Sequence, residues 1–367
     1  MAALWSATDP GWARGCVGVL RVCRLQRDLS PAIARDQERM AVNRQIRTGV
    51  IGVGNMGQHH ARIWATMPGS QFLGVADPNF AWAQEVAGRH NVPAYADYRE
   101  LLRQVEVVSV AAPTTLHHEI GLACLRQGIH LLIEKPLAAS LDEARALTQT
   151  AQQAGLVLQV GHVERFNPTF VELVNVLSGH DIVALDTRRL SPFATRAADV
   201  SVVYDLMVHD LDLILALVDA PLADVQAVGR KIRSPQLDHV MALLTFADGR
   251  VASLSASKVT QHKVRQLTVT CADAFVVADL LVRTVMVYRQ SAADYFAQDG
   301  EVLYRQEGLI EQVYVPPVEP LYAELQHFLT CVREGREPQV GGEEALRVMA
   351  LAEKIEAQVL AGSEAGV

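Results

Sequence analysis

The chain has 367 residues and a formal charge of −8, with 50% hydrophobic and 20% charged residues. That length exceeds one ordinary core and predicts two domains, while the composition is globular and lacks the basic footprint that nonspecific nucleic-acid binding requires. Cys16, Cys23, Cys124, Cys271 and Cys331 are scattered without zinc-site or disulfide-scaffold spacing, which predicts a reducing cytoplasm, and no apolar run is long enough to predict a membrane span.

Residues 1–45 read as a disordered leader, because Trp5, Trp12, Arg14, Arg21 and Arg24 follow no sustained period. A basic targeting segment is the alternative, opposed by the brief, interrupted apolar run at Cys16. From Gly49 an apolar run ends in Gly52-Val-Gly54-Asn55-Met56-Gly57, and helical spacing follows through Ala61, Trp64 and Met67. Strand, glycine turn and helix in that order form a dinucleotide-binding pattern, with the backbone of Gly52, Gly54, Asn55, Met56 and Gly57 against a pyrophosphate. Phe72–Asp77 is the second strand. Asp77 lies near the ~20-residue offset of the acid that binds the adenosine ribose. No arginine follows to accept a 2′-phosphate, so NAD is expected over NADP; capping the helix near Asn79 is the other role open to Asp77.

Strand and helix keep alternating through Tyr95–Ala96, Leu101–Leu102, the strand 107–112, the helix 118–128 and the strand 130–134. A parallel, doubly wound sheet follows. Thr114 and His117, just past the 107–112 strand, are placed at the cofactor, whereas His59, His60 and His118 are assigned to helix caps or solvent. Glu134-Lys135-Pro136 then ends a strand, with Lys135 expected to face the reaction and Glu134 the cofactor.

Beyond Gly161-His-Val-Glu-Arg165-Phe-Asn167-Pro the period changes. A strand at 181–190 precedes a helix at 204–218, on which Asp205 and His209 share a face. Asp205, His209 and Asp212 also have the spacing of metal ligands, with His162 or Glu164 as a further ligand; hydride chemistry accounts for the same residues without a metal. Strands are expected at 225–232, 241–246, 251–255, 264–271, 275–280 and 285–288, with 241–246 and 251–255 joined by an Asp248-Gly249 turn, and helices at 319–334 and 343–359. The fold class is therefore α/β: a Rossmann domain at 46–165, then a substrate-binding and oligomerisation domain at 166–360 with a large, mostly antiparallel open sheet. So few helices leave a sheet face for a partner subunit, as a homodimer or homotetramer.

Taken in order and spacing, Gly52–Gly57, Asp77, Pro113-Thr114-x-x-His117, Glu134-Lys135-Pro136 and Asp205-x-x-x-His209 resemble the glucose-fructose oxidoreductase, inositol dehydrogenase and rhizopine catabolism family, from about Arg47 to Gln358. The resemblance implies nicotinamide-dependent sugar or cyclitol oxidation, a cis bond before Pro136, Lys135 and His209 as catalytic residues, and Asp205 beside them orienting the imidazole or binding a sugar hydroxyl. The Glu-Arg-Phe-Asn-Pro wording and Asp205-Leu-Met-Val-His resemble the branch acting on nucleotide sugars, notably on the 3-hydroxyl of UDP-N-acetylglucosamine. The product of such a reaction is a 3-keto sugar that an aminotransferase can convert for lipid A or surface glycans. Arg165, Asn167 and Tyr204 are then substrate residues, and Arg165, Arg188, Arg189 and Arg196 are candidates for the diphosphate, with Arg188 and Arg189 facing opposite ways. A cyclitol or free-sugar dehydrogenase and a nonenzymatic nucleotide sensor remain as alternatives.

Overall fold

In the computed structural model, which describes residues 44–195, 198–298 and 301–364, the first sheet begins where the leader was expected to end. Residues 1–43 and Arg196 lie outside the described residues. β1 (Ile46–Ile51), β2 (Ser70–Ala76), β3 (Ala94–Tyr95), β4 (Val107–Val110), β5 (His130–Glu134) and β6 (Leu158–Gly161) pair in parallel in the order 3-2-1-4-5-6. β4 and β6 are buried at every position, as parallel strands covered on both faces must be. The crossovers are α1 (Gly57–Thr66), α2 (Phe80–His90), α3 (Tyr98–Leu102), α4 (His117–Arg126) and α5 (Leu141–Ala154). Their starts carry local signals: Asn79 accepts from Trp82 N, and Ser140 accepts from Glu143 N while Glu143 accepts from Ala139 N, a reciprocal cap. Asn79 is thus the cap of α2, and Asp77 is not.

The second sheet holds eight strands in the order β14-β13-β12-β11-β7-β10-β9-β8. These are β7 (Ile182–Leu190), β8 (Leu222–Arg230), β9 (His239–Phe246), β10 (Val251–Ser257), β11 (Val264–Cys271), β12 (Phe275–Asp279), β13 (Thr284–Gln298) and β14 (Glu301–Val313). Only the β7–β10 pair is parallel. The Asp248-Gly249 turn closes β9 on β10 with Gly249 at φ 90°, a conformation glycine adopts without steric cost. β13 continues well past the expected end at residue 288, and β14 was not expected at all; Arg289–Gln306 is too rich in Gln, Asp, Glu and Arg to show an apolar alternation.

One face of this sheet, through Val240, Leu244, Leu254 and Val269, packs on α6 (Pro168–Leu177), α7 (Val208–Leu217) and α9 (Gly342–Glu364). The other face exposes Val228, Met241, Leu243, Phe275 and Tyr288. α8 (Pro320–Glu334) returns to the first sheet, setting Leu321, Leu325, Phe328 and Leu329 against Val50, Trp64 and Val75. The carboxy-terminal helices therefore contribute to both cores, and α8 belongs by packing with the dinucleotide sheet despite its place in sequence.

Candidate active site

The glycine turn lies at the carboxyl edge of β1. Gly52 has φ 82°, and a Cβ at Gly57 would collide with the Gly52 carbonyl, so α1 can approach β1 only through glycine. A Cβ at Gly54 would meet nothing within 4 Å, which leaves its backbone open to a ligand. A cleft of about 880 Å³ runs from Gly52, Gly54, Asn55 and Met56, past Asp77, Asp97, Tyr98 and Arg99, to Thr114, Glu134 and Lys135. Asp77 accepts from Val53 N and Asn79 N, both at 2.9 Å, so it braces the turn as well as lining the cleft. These residues fit NAD: glycine backbone for the pyrophosphate, a carboxylate for ribose hydroxyls, and Lys135 and Glu134 at the far end. Thr114 also lines a second cleft of about 780 Å³ with Pro136, Arg145, Tyr204, Glu353 and Glu356.

Lys135 closes β5, and its bond to Pro136 is cis. Its ammonium donates to Asp205 O at 3.0 Å and Tyr204 O at 3.4 Å. Those carbonyls belong to a π-helical turn, Val203–Met207, that precedes α7. A wide turn of this kind displaces carbonyls from the regular ladder and is common at functional sites. The expected helix at 204–218 is thus π-helical through Met207 and α-helical only from Val208. The Asp205 carboxylate pairs with Lys258 at 3.1 Å. The expectation that Asp205 orients His209 is therefore corrected: its charge is directed to Lys258, and His209 Nδ1 is buried with no partner among the described residues.

Glu134 is turned away from Lys135 and bonds His60 Nε2 at 3.0 Å. His60 is fully buried, not a cap or solvated; its spacing of four from buried Trp64 marked the same inner face. His117 is buried too, with Nδ1 2.9 Å from Pro136 O and Nε2 2.9 Å from Ala112 O. It ties the two strand ends together, and its ring nitrogens are not available to a cofactor.

The substrate arginines need correction. Arg165 is buried and holds Asp212 with both arms, at 2.7 and 3.0 Å, which also removes Asp212 from the set of potential metal ligands. Asn167 caps α6 by accepting from Thr169 N and donates to Glu164 and Leu280 O. Arg189 is buried between Asp210 and Glu164 at 2.8 and 3.0 Å. Arg188 points to the opposite, exposed side. For Arg165 and Arg189, burial imposes pairing on an ion that sequence alone leaves free to face a ligand. Tyr204 stays at the second cleft, its hydroxyl pushed up to about 12 by burial and the nearby Glu356 and Glu353, so it can donate a hydrogen bond but stays un-ionised at neutral pH.

Burial lowers the Lys135 pKa, and Arg189 and Lys258 add to that against the opposing pull of Asp205 and Glu134. Burial, then the charges of Lys135 and Arg189, holds His209 well below the ordinary histidine range. His162, wholly within the protein beside Asp212, is lowered by burial as well. A histidine held toward its neutral form suits removal of a hydroxyl proton, and the positive charge of Lys135 acts on it.

Residues 46–162 match the family profile described as an oxidoreductase family with an NAD-binding Rossmann fold, and residues 172–277 match the carboxy-terminal domain of the same Gfo/Idh/MocA family. UDP-N-acetylglucosamine 3-dehydrogenase of Acidithiobacillus ferrooxidans is 35% identical over 314 residues, covering 86% of this chain and 97% of that protein. A solved structure of that enzyme superposes with a TM-score of 0.79 at 34% identity, over 86% of this chain and 98% of that one. The scyllo-inositol 2-dehydrogenase (NAD(+)) of Bacillus subtilis is 23% identical over 315 residues, 81% of this chain and 89% of that protein.

Proposed function

The chain belongs to the Gfo/Idh/MocA oxidoreductase family and carries its NAD-binding Rossmann domain, and from that premise we propose that it oxidises the 3-hydroxyl of UDP-N-acetylglucosamine to a ketone. The observation that carries the reaction type is Lys135 at the end of the dinucleotide cleft, held against the carbonyl of Asp205 in the turn that leads into the helix of His209. NAD, when bound, accepts the hydride. His209 takes the hydroxyl proton, and Lys135 stabilises the oxygen as its charge develops. The likeness to a UDP-N-acetylglucosamine 3-dehydrogenase along nearly its whole length supports the substrate.

With Arg165 and Arg189 committed to internal pairs, Arg145 in the second cleft and the partly exposed Arg265 are the arginines we assign to the diphosphate. The 3-keto product suits an aminotransferase that makes a 3-amino sugar for lipid A or surface glycans, in the cytoplasm. The exposed apolar face of the second sheet suits a homodimer or homotetramer. NADH formation tests the reading: turnover with UDP-N-acetylglucosamine well above that with myo-inositol or free N-acetylglucosamine is expected, and activity confined to free polyols contradicts it.

Cofactor choice is assigned to Asp77. Asp77→Ser is expected to shift the ratio of kcat/KM for NAD over NADP by roughly 10- to 100-fold toward NADP, because a carboxylate bonds ribose hydroxyls and repels a phosphate. An unchanged ratio would leave Asp77 only its bracing of Val53 and Asn79.

A further inference from the structure

Asp205 is gripped from two sides. Lys135 Nζ holds its carbonyl at 3.0 Å, and Lys258 Nζ holds its carboxylate at 3.1 Å. Lys258 follows β10, and its side chain is 6% exposed. The same ammonium donates to Val200 O at 2.6 Å, and the Lys258 backbone N donates to Asp238 O at 2.8 Å. Asp238 in turn gathers the amides of Ile232, Arg233 and Ser234 and the Ser234 hydroxyl. A loop tied by these bonds therefore stands behind Lys258, whose long, flexible side chain is buried and reaches the Asp205 carboxylate.

A buried lysine with this set of partners costs desolvation that a neutral residue would avoid. The strand end itself is completed by Ser257, whose carbonyl accepts from Ser191 N and whose hydroxyl oxygen accepts from Val259 N. What the cation does is fix where Asp205 points and add positive charge beside Lys135.

We propose that Lys258 is a positioning residue for the oxidation: it holds the Asp205 carboxylate to itself rather than to Lys135 or His209 and, by tying Val200 and Asp205, fixes the π turn Val203–Met207. The inference rests on the reading of Lys135 and His209 as the reacting groups. The charged and titratable groups around those two are Glu134 on β5, His162 after β6, Arg189 on β7, Asp205 on the π turn, Lys258 after β10 and Arg265 on β11. Of the paired charges Lys258 and Asp205, Lys258 depresses the proton affinity of Lys135 and Asp205 raises it. Removing Lys258 takes away the first and frees the second to turn toward Lys135, so both changes move the Lys135 midpoint upward.

The experiment compares Lys258→Gln, which retains a donor for Val200 O without the charge, with Lys258→Arg, which retains the charge. In the full-length protein, Lys258→Gln is expected to move the alkaline limb of the kcat/KM profile with UDP-N-acetylglucosamine to higher pH, because Lys135 keeps its proton further, and to lower kcat/KM at pH 7 by about 10- to 100-fold through loss of the Asp205 placement. Its NADH affinity, read by fluorescence, stays within about twofold. Lys258→Arg keeps the wild-type profile. A substrate-independent reading is the pH midpoint for amine labelling of Lys135, followed by mass spectrometry, which rises in the Gln variant alone. A wild-type labelling midpoint in the Gln variant, or an equal displacement in both variants, overturns the proposal. Failure of the wild type to oxidise UDP-N-acetylglucosamine overturns the substrate instead and leaves the labelling result standing.

Discussion

Replacing Lys135 with methionine is expected to lower kcat by about 10³-fold or more, with NAD binding retained, because one change removes both a charge and a hydrogen-bond donor at the reacting oxygen. Methionine keeps an unbranched chain of similar length, so the end of β5 stays packed. The ammonium it removes donates to Tyr204 O and Asp205 O. Tyr204 borders the second cleft, where water can take the place of the lost donor, which limits the structural cost. Loss of the amine nevertheless leaves the alkoxide without its cation. The effect belongs in kcat, since the charge matters most when the hydroxyl has given up its proton. A kcat within tenfold of wild type, with intact NAD binding, would exclude Lys135 from the chemistry.

The second large effect is on stability. Arg189→Met is expected to destabilise the fold by about 3–5 kcal/mol, because it leaves Glu164 and Asp210 buried without their shared cation. Arg189 bonds both, and Arg265 and Asn167 also contact Glu164. The two carboxyls respond in opposite directions. Burial pushes Glu164 upward, but Arg189 and the bonds from Asn167 and Arg189 overcome it and leave a lowered pKa. At Asp210 burial wins over Arg189 and the pKa is raised. Glu164 therefore contributes stability above its unfolded pKa that is lost as pH falls through its lowered folded value, whereas burial of an ionised Asp210 costs stability above its unfolded pKa. In the methionine variant Asp210 is left to burial and Glu164 keeps only Arg265 and Asn167, so the deficit should be largest at neutral pH and shrink on acidification. Thermal melts at pH 7 and pH 5 measure this; a loss under about 1 kcal/mol at pH 7 would mean the cluster is wet rather than buried.

What could be read in advance follows from how local each signal is. The glycine turn, Asp77 and Lys135-Pro136 lie at strand ends that hydrophobic runs define, so their places in the cleft were legible. The hairpin at Asp248-Gly249 was legible for the same reason. Arg165, Asn167 and Arg189 had residue types suited to a nucleotide sugar, but their partners Asp212, Leu280 and Asp210 come from distant strands and helices. An arginine's type cannot tell a phosphate from a buried aspartate. Lys258 was missed because it is 53 positions from Asp205 and meets it only when β10 lies beside β7. His60 was missable only by neglecting the helix period it shares with Trp64.

The central claim is that hydride leaves carbon 3 of a UDP-linked N-acetylglucosamine at the Lys135–His209 site. UDP-N-acetylglucosamine deuterated only at carbon 3, incubated with the protein and NAD, tests it most directly. The account predicts slower NADH formation than with unlabelled substrate and recovery of the deuterium in the reduced nicotinamide. Undeuterated NADH formed at the unlabelled rate would contradict it.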